Sequence, residues 1–184
     1  MSEIDYKRRQ ILIAGGITLG ASLFPQLAVA SPFKSTNPRQ MSMCNIHTGE
    51  DLDTQYFDGE DYLPEELQRI YQICRDFRQN EVAKMDKKLF DGIAKIQASL
   101  GHKGQVRIIS GYRSPKTNQL LQKNGGVAKK SYHMKGQAID FNLEGIPLAK
   151  VHKAAQELRL GGVGYYPKSD FVHIDTGPVR NWRG

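Results

Sequence analysis

The sequence predicts a single α+β domain, with a small, mostly antiparallel sheet and helices packed on one of its faces. The chain has 184 residues and a hydrophobic fraction of 39%, which is enough for one core. Apolar residues recur at helical spacing in the earlier half of the chain. Segments with the period-two alternation of strands are interleaved with these helices and are more frequent later in the chain. The connections between these segments are short, which favours antiparallel pairing of strands.

The first thirty residues have the three parts of a secretory signal. A basic cluster at 7–9 precedes an apolar run, and small residues follow at Ala28 and Ala30. The paired arginines also fit a twin-arginine export signal. We expect cleavage after about Ala30, and no stable membrane insertion of the cleaved chain. An uncleaved membrane anchor is the alternative, although the apolar run is short for one.

The segment after the predicted cleavage site has a different composition. Prolines and polar residues in 31–40 predict a flexible tether. The folded domain is therefore expected to comprise residues 41–184.

The first elements of the domain are predicted to be a hairpin and two helices. Turn signals flank LDTQYF within 41–62, so this segment can pair as a hairpin. From Pro64, which suits a first helical turn, apolar residues form one stripe that extends to Phe77. A second helix is predicted from Asp86, as its N-cap, to a stop at Gly101.

The period then changes. QVRIIS predicts a strand at 105–110, because it is rich in β-branched residues. Ser114 and Pro115 are expected to cap a short helix, and 124–132 is expected to be a loop.

The remaining elements are predicted to be a strand, a helix and a hairpin. QAIDFNL at 137–143 alternates, with apolar residues on one face and Asp140 on the other. A third long helix is predicted from Pro147 to the glycine pair at 161–162. GVGYY and FVHIDTG flank a turn at 167–170 and predict a closing hairpin.

The polar faces of two strands carry ionisable residues. In FVHIDTG, His173 and Asp175 share the face opposite to the apolar one. If this face lies on the same side of the sheet as Asp140, the three side chains converge. His133 would then approach from the loop before the strand, which Gly136 allows to turn sharply.

Two imidazoles and a carboxylate are usual ligands of a catalytic zinc ion, with water in the fourth position. Such a water ionises near neutral pH and can attack an amide. A carboxylate outside the ligand set must then accept and return protons, and both Asp170 and Asp175 are candidates. The spacing alone leaves open that these polar residues simply face water.

Other polar residues permit two interpretations each. Arg113 either caps a turn or places a cation at the edge of the site, for a substrate carboxylate or a developing oxyanion. Cys44 and Cys74 form one disulfide or remain free thiols, and neither has the neighbours of a nucleophile. His47, His102 and His152 lack such neighbours and are expected to be surface or structural residues, although spacing alone does not exclude other roles.

Removal of residues 1–30 would take away three cations and two anions and lower the formal net charge from +7 to +6. A basic exported protein would be attracted to anionic surfaces, including cell-wall polymer and lipid head groups. The cations are scattered and are not interleaved with aromatic residues. We therefore expect no nucleic-acid partner.

The sequence resembles the zinc peptidases of the D-Ala-D-Ala carboxypeptidase and hedgehog-fold superfamily, peptidase family M15. The likeness rests on SGYRS, on the motif S-x-H-x-x-G-x-A-x-D from Ser131 to Asp140, on VGYYP and on FVHIDTG, in this order. It covers roughly residues 41–182 and is greatest to the exported murein endopeptidases of Gram-negative bacteria.

The resemblance implies a hedgehog-like or DD-peptidase-like α+β fold and one zinc ion per chain, held by His133, Asp140 and His173. It also implies hydrolysis of peptide bonds in peptidoglycan, in the periplasm. In carboxypeptidase relatives, a glutamate three residues before the last histidine is the base. Asp170 occupies that position here, so either it or Asp175 is the expected base.

Further residues match the motifs of these relatives. Arg113 matches an arginine that assists their reaction. Ser131 matches a motif serine that is expected to support the ligands. Tyr165 and Tyr166 either line a substrate groove, or one of them packs in the core.

The leading functional hypothesis is a zinc-dependent endopeptidase that cuts cross-links between peptidoglycan stem peptides by means of a zinc-activated water. A carboxypeptidase that trims stem peptides is an alternative. A non-catalytic zinc-containing module that binds the cell wall is another, and a basic surface-binding protein without metal is a third. An unidentified regulatory protein is a further expected partner, because unrestrained cutting would damage the wall.

Overall fold

The computed structural model of the protein describes residues 37–123, 125 and 127–184. The predicted signal peptide at 1–30 and most of the predicted tether lie outside the described residues. The first strand begins at Arg39, so the last two residues of the segment 31–40 belong to the sheet rather than to a tether.

A seven-stranded sheet occupies the centre of the described part of the chain, in the order β2-β1-β3-β4-β6-β5-β7. Four of the neighbouring pairs are antiparallel, whereas β1 with β3 and β5 with β7 are parallel. The α+β prediction is confirmed, and the predicted mostly antiparallel sheet is mixed. The strands are β1 (Arg39–Asn45), β2 (Glu50–Phe57), β3 (Val106–Ser110), β4 (Ala138–Leu143), β5 (Gly162–Tyr166), β6 (Phe171–Asp175) and β7 (Arg180–Arg183).

Helices contribute most of the apolar residues that cover one side of this sheet. The core includes Ile139 and Phe141 of β4, both fully buried, together with apolar residues of three helices. Burial of these side chains is the main favourable term in folding. The helices are α1 (Pro64–Ile73), α2 (Lys87–Ser99), α3 (Pro115–Lys123) and α4 (Leu148–Leu158), with a short 3₁₀ helix at Tyr132–Lys135.

Two helix starts follow the sequence signals. Asp86 is the N-cap of α2, and its carboxylate accepts a hydrogen bond from the Lys88 amide at 3.0 Å. The Ser114 hydroxyl accepts one from the Thr117 amide at 3.2 Å in the first turn of α3. These bonds satisfy amides that have no partner within a helix.

Two helix ends were predicted too far along the chain. The apolar stripe predicted that the first helix extends to Phe77, and this was wrong. Helix α1 ends at Ile73, and the Cys74 carbonyl accepts a hydrogen bond from the Tyr112 amide instead. The third long helix stops at Leu158 rather than at the glycine pair, because Arg159 has a left-handed backbone with φ of 52°. Left-handed backbone cannot continue a helix.

The strand β7 was not predicted. Its sequence RNWR lacks the alternating β-branched residues that mark a strand, and it pairs in parallel with β5. Across the described ranges, no helix has both the length and the apolar character needed to cross a bilayer.

Candidate metal centre and active site

Two central strands bring a carboxylate and an imidazole side by side. Asp140 of β4 lies directly opposite His173 of β6 in the antiparallel pairing. The alternation of β4 directs Ile139 and Phe141 into the core and Asp140 to the other face. The pairing of two ordinary strands therefore assembles the first half of the site.

His133 reaches this pair from the 3₁₀ helix before β4. The Ser131 hydroxyl caps this helix by accepting a hydrogen bond from the His133 amide at 3.3 Å. Gly136 ends it with a φ of 65°, and a Cβ there would lie 2.2 Å from the Lys84 carbonyl oxygen. Only glycine fits this turn, which fixes where His133 enters the site.

Hydrogen bonds also set which nitrogen of His133 is available. Its Nδ1 lies 2.7 Å from the Gly111 carbonyl oxygen, which can only accept. Nδ1 therefore carries the proton and donates it, and the lone pair of Nε2 faces Asp140 and His173.

The three side chains present one ligand atom each to a common point. His133 Nε2 lies 3.2 Å from His173 Nδ1 and 3.3 Å from Asp140 Oδ2, and His173 Nδ1 lies 2.8 Å from Asp140 Oδ1. Atoms bound at about 2.0–2.1 Å to a tetrahedral zinc ion lie about 3.3 Å from one another. The donor set and its spacing therefore fit zinc, and all three side chains are buried.

Asp175 orients the far side of His173. Its Oδ2 lies 3.2 Å from His173 Nε2, and its side chain is fully buried. The same carboxylate accepts hydrogen bonds from the amides of Gly162 and Gly177 and from both terminal nitrogens of Arg180. These donors occupy both oxygens, so Asp175 is placed to fix the ring of His173.

The local charges shift the pKa values of this cluster. Burial raises the pKa of Asp140, but the adjacent His133 and His173 outweigh burial and hold it well below its usual range. Burial lowers the pKa of His173, whereas hydrogen bonds to Asp140 and Asp175 raise it overall to about 9. The Asp140 carboxylate thus stays ionised and can bind a cation.

The cluster forms part of the lining of a cavity of about 350 Å³. Arg113 also lines it, is buried, and places Nη2 3.9 Å from Asp140 Oδ2 and 3.3 Å from the Ser110 hydroxyl. Burial lowers the pKa of its guanidinium, although Asp140 opposes this shift. Further cavity residues carry a positive charge or an aromatic ring: Lys130, Tyr132, Tyr166, Phe171, Arg180 and Trp182.

Asp170 lies in the turn between β5 and β6, outside the cavity lining. Its backbone φ is 52°, and its side chain is exposed. Asn142 Nδ2 donates to Asp170 Oδ2 at 3.0 Å and to its carbonyl oxygen at 2.8 Å. Asn142 follows Asp140 on the same face of β4, so the two side chains emerge about 7 Å apart.

The two neighbouring tyrosines have different surroundings. Tyr166 lines the cavity, stacks on Phe171 at 4.4 Å and accepts a hydrogen bond from Trp182 Nε1 at 2.7 Å. Tyr165 points to the other face of β5, packs against the core and stacks on His152 at 4.6 Å.

Sequence reasoning did not find Tyr132, Lys130, Arg180 or Trp182, all of which line the cavity. Tyr132 is the neighbour of a predicted ligand, and GPVRNW directly follows FVHIDT. Their closeness to the predicted ligands in the sequence could therefore have identified these residues, but no periodic pattern distinguishes them.

The remaining candidates lie elsewhere. Cys44 and Cys74 are free thiols. His47 stacks on Phe77, and the His102 ring contacts the Glu144 carbonyl. Within the described residues, neither histidine belongs to a group that could hold a metal ion.

Comparisons with known proteins found close similarity over nearly the whole chain. The model of an M15 peptidase family, described as peptidoglycan L,D-endopeptidase MepK, matches residues 33–182. The peptidoglycan L,D-endopeptidase MepK of Escherichia coli (strain K12) is 48% identical over 183 residues, which cover 99% of this chain and 100% of that protein. The probable peptidoglycan L,D-endopeptidase MepK of Haemophilus influenzae is 44% identical over 186 residues and covers both chains fully. No solved structure matches significantly.

Proposed function

Since the chain belongs to the peptidoglycan L,D-endopeptidase family of M15 peptidases, we propose that it is an exported zinc peptidase that hydrolyses peptide cross-links between peptidoglycan stem peptides. The observation that carries this proposal is the convergence of His133, Asp140 and His173 at a cavity. Two imidazoles and one carboxylate leave a fourth position of a tetrahedral ion open for chemistry.

Zinc would be held by His133 Nε2, His173 Nδ1 and the Asp140 carboxylate. When bound, it acts as a Lewis acid and lowers the pKa of a coordinated water toward about 7. The hydrogen bonds from His133 to Gly111 and from His173 to Asp175 fix both rings, and such outer contacts strengthen metal binding.

The two acidic candidates then receive different roles. Asp175 is buried with both oxygens occupied, so it is a positioning residue for His173. Asp170 is exposed to solvent, no donor other than Asn142 occupies its carboxylate among the described residues, and Asn142 holds this carboxylate on the face of Asp140. We therefore assign proton transfer to Asp170, and to Arg113 the stabilisation of negative charge beside Asp140.

Asp170→Asn tests the assignment of the base. The substitution keeps size and removes the proton acceptor, so we expect a rate about 100- to 10,000-fold lower with zinc content unchanged. Turnover and zinc content are measured on the same preparation. Wild-type turnover in this variant would show that another group transfers the proton.

Digestion of purified, cross-linked sacculi tests the proposed function as a whole. The protein is assayed with chelator, with zinc restored and as His133→Ala, and the fragments are identified by mass spectrometry. We expect zinc-dependent conversion of cross-linked dimers to monomers, and no conversion by His133→Ala. Intact dimers with shortened stems would instead indicate a carboxypeptidase, and no change by the zinc-loaded protein would indicate a binding module.

Export to the periplasm follows from the substrate, because peptidoglycan lies outside the cytoplasmic membrane. The signal-like pattern of residues 1–30 supports this location. N-terminal sequencing of protein from the periplasmic fraction should begin near Ser31. A regulatory partner stays a prediction.

A further inference from the structure

Arg180 lies beside the predicted metal-ligand cluster and lines the same cavity. One side of its guanidinium binds Asp175, with Nη2 at 2.6 Å from Oδ2 and Nη1 at 3.1 Å from Oδ1. Asp175 in turn contacts His173, so Arg180 is two hydrogen bonds from a predicted metal ligand. Its side chain is nevertheless 41% exposed and lines the cavity.

The guanidinium still has donors to offer. Nη1 uses its two N–H groups on Asp175 and on the Pro178 carbonyl, and Nη2 uses one on Asp175. Among the described residues, Nε and the second N–H of Nη2 have no hydrogen-bond partner. An arginine offers five N–H donors in a fixed plane, so a second anion can bind beside the first.

Two aromatic rings hold this guanidinium in place. Its Cζ lies 5.2 Å from the centre of the Tyr132 ring and 5.0 Å from that of Trp182. These contacts limit the motion of a long side chain, which reduces the entropy lost when it binds a ligand.

Glycines make room for this arrangement. A Cβ on Gly162 would lie 2.4 Å from Arg180 Nη1, and a Cβ on Gly164 would lie 2.6 Å from the Trp182 ring. A Cβ on Gly177 would lie 2.4 Å from the Tyr132 ring. The three glycines thus leave room for the side chains of Arg180, Trp182 and Tyr132, as expected for one wall of a binding site.

The cavity carries an excess of positive charge. Among the described residues, its lining includes Arg113, Lys130 and Arg180 but only one carboxylate, Asp140, which is a predicted metal ligand. Arg113 faces Asp140 and is buried, whereas Arg180 and the exposed Lys130 remain accessible. A substrate with its own carboxylate near the scissile bond would complement these cations.

We propose that Arg180, assisted by Lys130, binds a free carboxylate of the stem peptide next to the scissile amide, so that the enzyme requires this acid group. The proposal rests on the proposed function and deepens it. It makes Arg180 a specificity residue that contacts substrate as well as a support for Asp175.

The test compares a cross-linked muropeptide dimer with the same dimer after conversion of its carboxylates to primary amides. Each form is incubated with the zinc-loaded full chain, and kcat and KM for its cleavage are measured separately. Binding of the uncross-linked monomers, in acid and amide form, is followed by the fluorescence of Trp182. This residue is the single tryptophan of the chain and lines the cavity.

We expect wild type to prefer the acid form by about 10- to 100-fold in kcat/KM, mainly through KM, since a charge-assisted pair is lost with the amide. Arg180→Gln should lose the preference in both cleavage and binding, and Arg180→Lys should keep part of it. Lys130→Gln should reduce it by a smaller factor. Arg183→Gln is the matched control, because this cation of the same strand lies outside the cavity lining.

Several outcomes would overturn the proposal. If wild type cleaves both forms equally, the proposed function stands and the carboxylate site is wrong. If Arg180→Gln loses zinc yet its binding still distinguishes acid from amide, Arg180 acts only through Asp175. If the zinc-loaded protein cleaves neither form, the proposed function fails and the carboxylate site fails with it.

Discussion

Asp175 is a buried carboxylate whose hydrogen bonds orient a neighbouring histidine. Its donors come from a histidine, an arginine and two backbone amides, so neither oxygen is left for substrate. These contacts hold the pKa of Asp175 well below its usual range, although burial alone would raise it. The carboxylate therefore keeps the ring of His173 in one orientation and one tautomer.

Asp175→Asn should weaken zinc binding. The amide places a donor where His173 Nε2 and Arg180 both need an acceptor, so we expect zinc affinity to fall about 10- to 100-fold. Competition with a chromophoric chelator measures this affinity. Asp61→Asn, at an exposed position, is the matched control, and unchanged zinc affinity in Asp175→Asn would contradict the positioning role.

The two cysteines are expected to behave differently although both are free thiols. Burial raises the pKa of the Cys74 thiol to about 12, whereas Cys44 is only partly buried. At pH 8 an alkylating reagent should modify Cys44 first and Cys74 only after unfolding, because the thiolate is the reactive form. Mass spectrometry counts the added groups, and an unreactive chain two mass units lighter would reveal a disulfide instead.

At the scale of elements, the loop after β3 links the core to the candidate metal centre. Gly111 packs on the end of α1, and its carbonyl accepts the hydrogen bond of His133 Nδ1. A Cβ at this position would lie 2.3 Å from the Cys74 carbonyl oxygen. The end of α1, which the apolar stripe did not predict, thus determines the position of the Gly111 carbonyl to which His133 donates its hydrogen bond.

Gly111→Ala should shift this loop and disturb His133. We expect a loss of about 1–3 kcal/mol in the free energy of unfolding, as for other overpacked sites, together with weaker zinc binding. Urea denaturation and chelator competition measure the two effects. Gly49→Ala is the control: its φ of 70° also disfavours alanine, but no atom lies within 4 Å of the added Cβ. Zinc affinity should fall in the first variant alone.

Local periodicity predicted most of the elements. The convergence of His133, Asp140 and His173 was predicted only on the condition that two polar faces lie on one side of the sheet, together with the resemblance to M15 peptidases. The alternation in QAIDFNL and FVHIDTG already separates Asp140 and His173 from the core face. It did not predict Arg180 and Trp182, since RNWR forms a strand only by pairing with β5. Nor did it predict that Asp170 would contact Asn142, because the geometry of a turn places that carboxylate.

At the scale of the whole molecule, a polar cluster joins the first strand to a helix of the core. Arg39 of β1 forms an ion pair with Asp91 of α2 at 2.8 Å and lies 3.8 Å from the centre of the Phe57 ring. Tyr62 donates a hydrogen bond to the same Asp91. The cluster anchors the described start of the domain on the side of the sheet that holds the core.

This cluster makes stability sensitive to alkaline pH. Burial, followed by the hydrogen bond to Asp91, raises the pKa of Tyr62 from its ordinary value of 10.0 to about 12. Its contribution to stability is present below pH 10 and is lost as the pH rises toward 12, because the unfolded chain releases the proton first. Between pH 8 and pH 11.5, the urea midpoint should fall less in Tyr62→Phe than in wild type. An equal difference in both proteins would exclude this residue as a cause.

The direct opposition of Asp140 and His173 across two antiparallel strands has a consequence for assembly. Slippage of β6 by one residue would turn His173 toward the apolar side and bring Val172 or Ile174 beside Asp140. An ion that binds both side chains adds its binding free energy to the native arrangement alone. Zinc would therefore stabilise the correct register selectively. Chains with a slipped strand would not bind it, and the equilibrium would shift toward the correctly assembled chains. Metal supply would then govern the yield of folded protein as well as its catalytic competence.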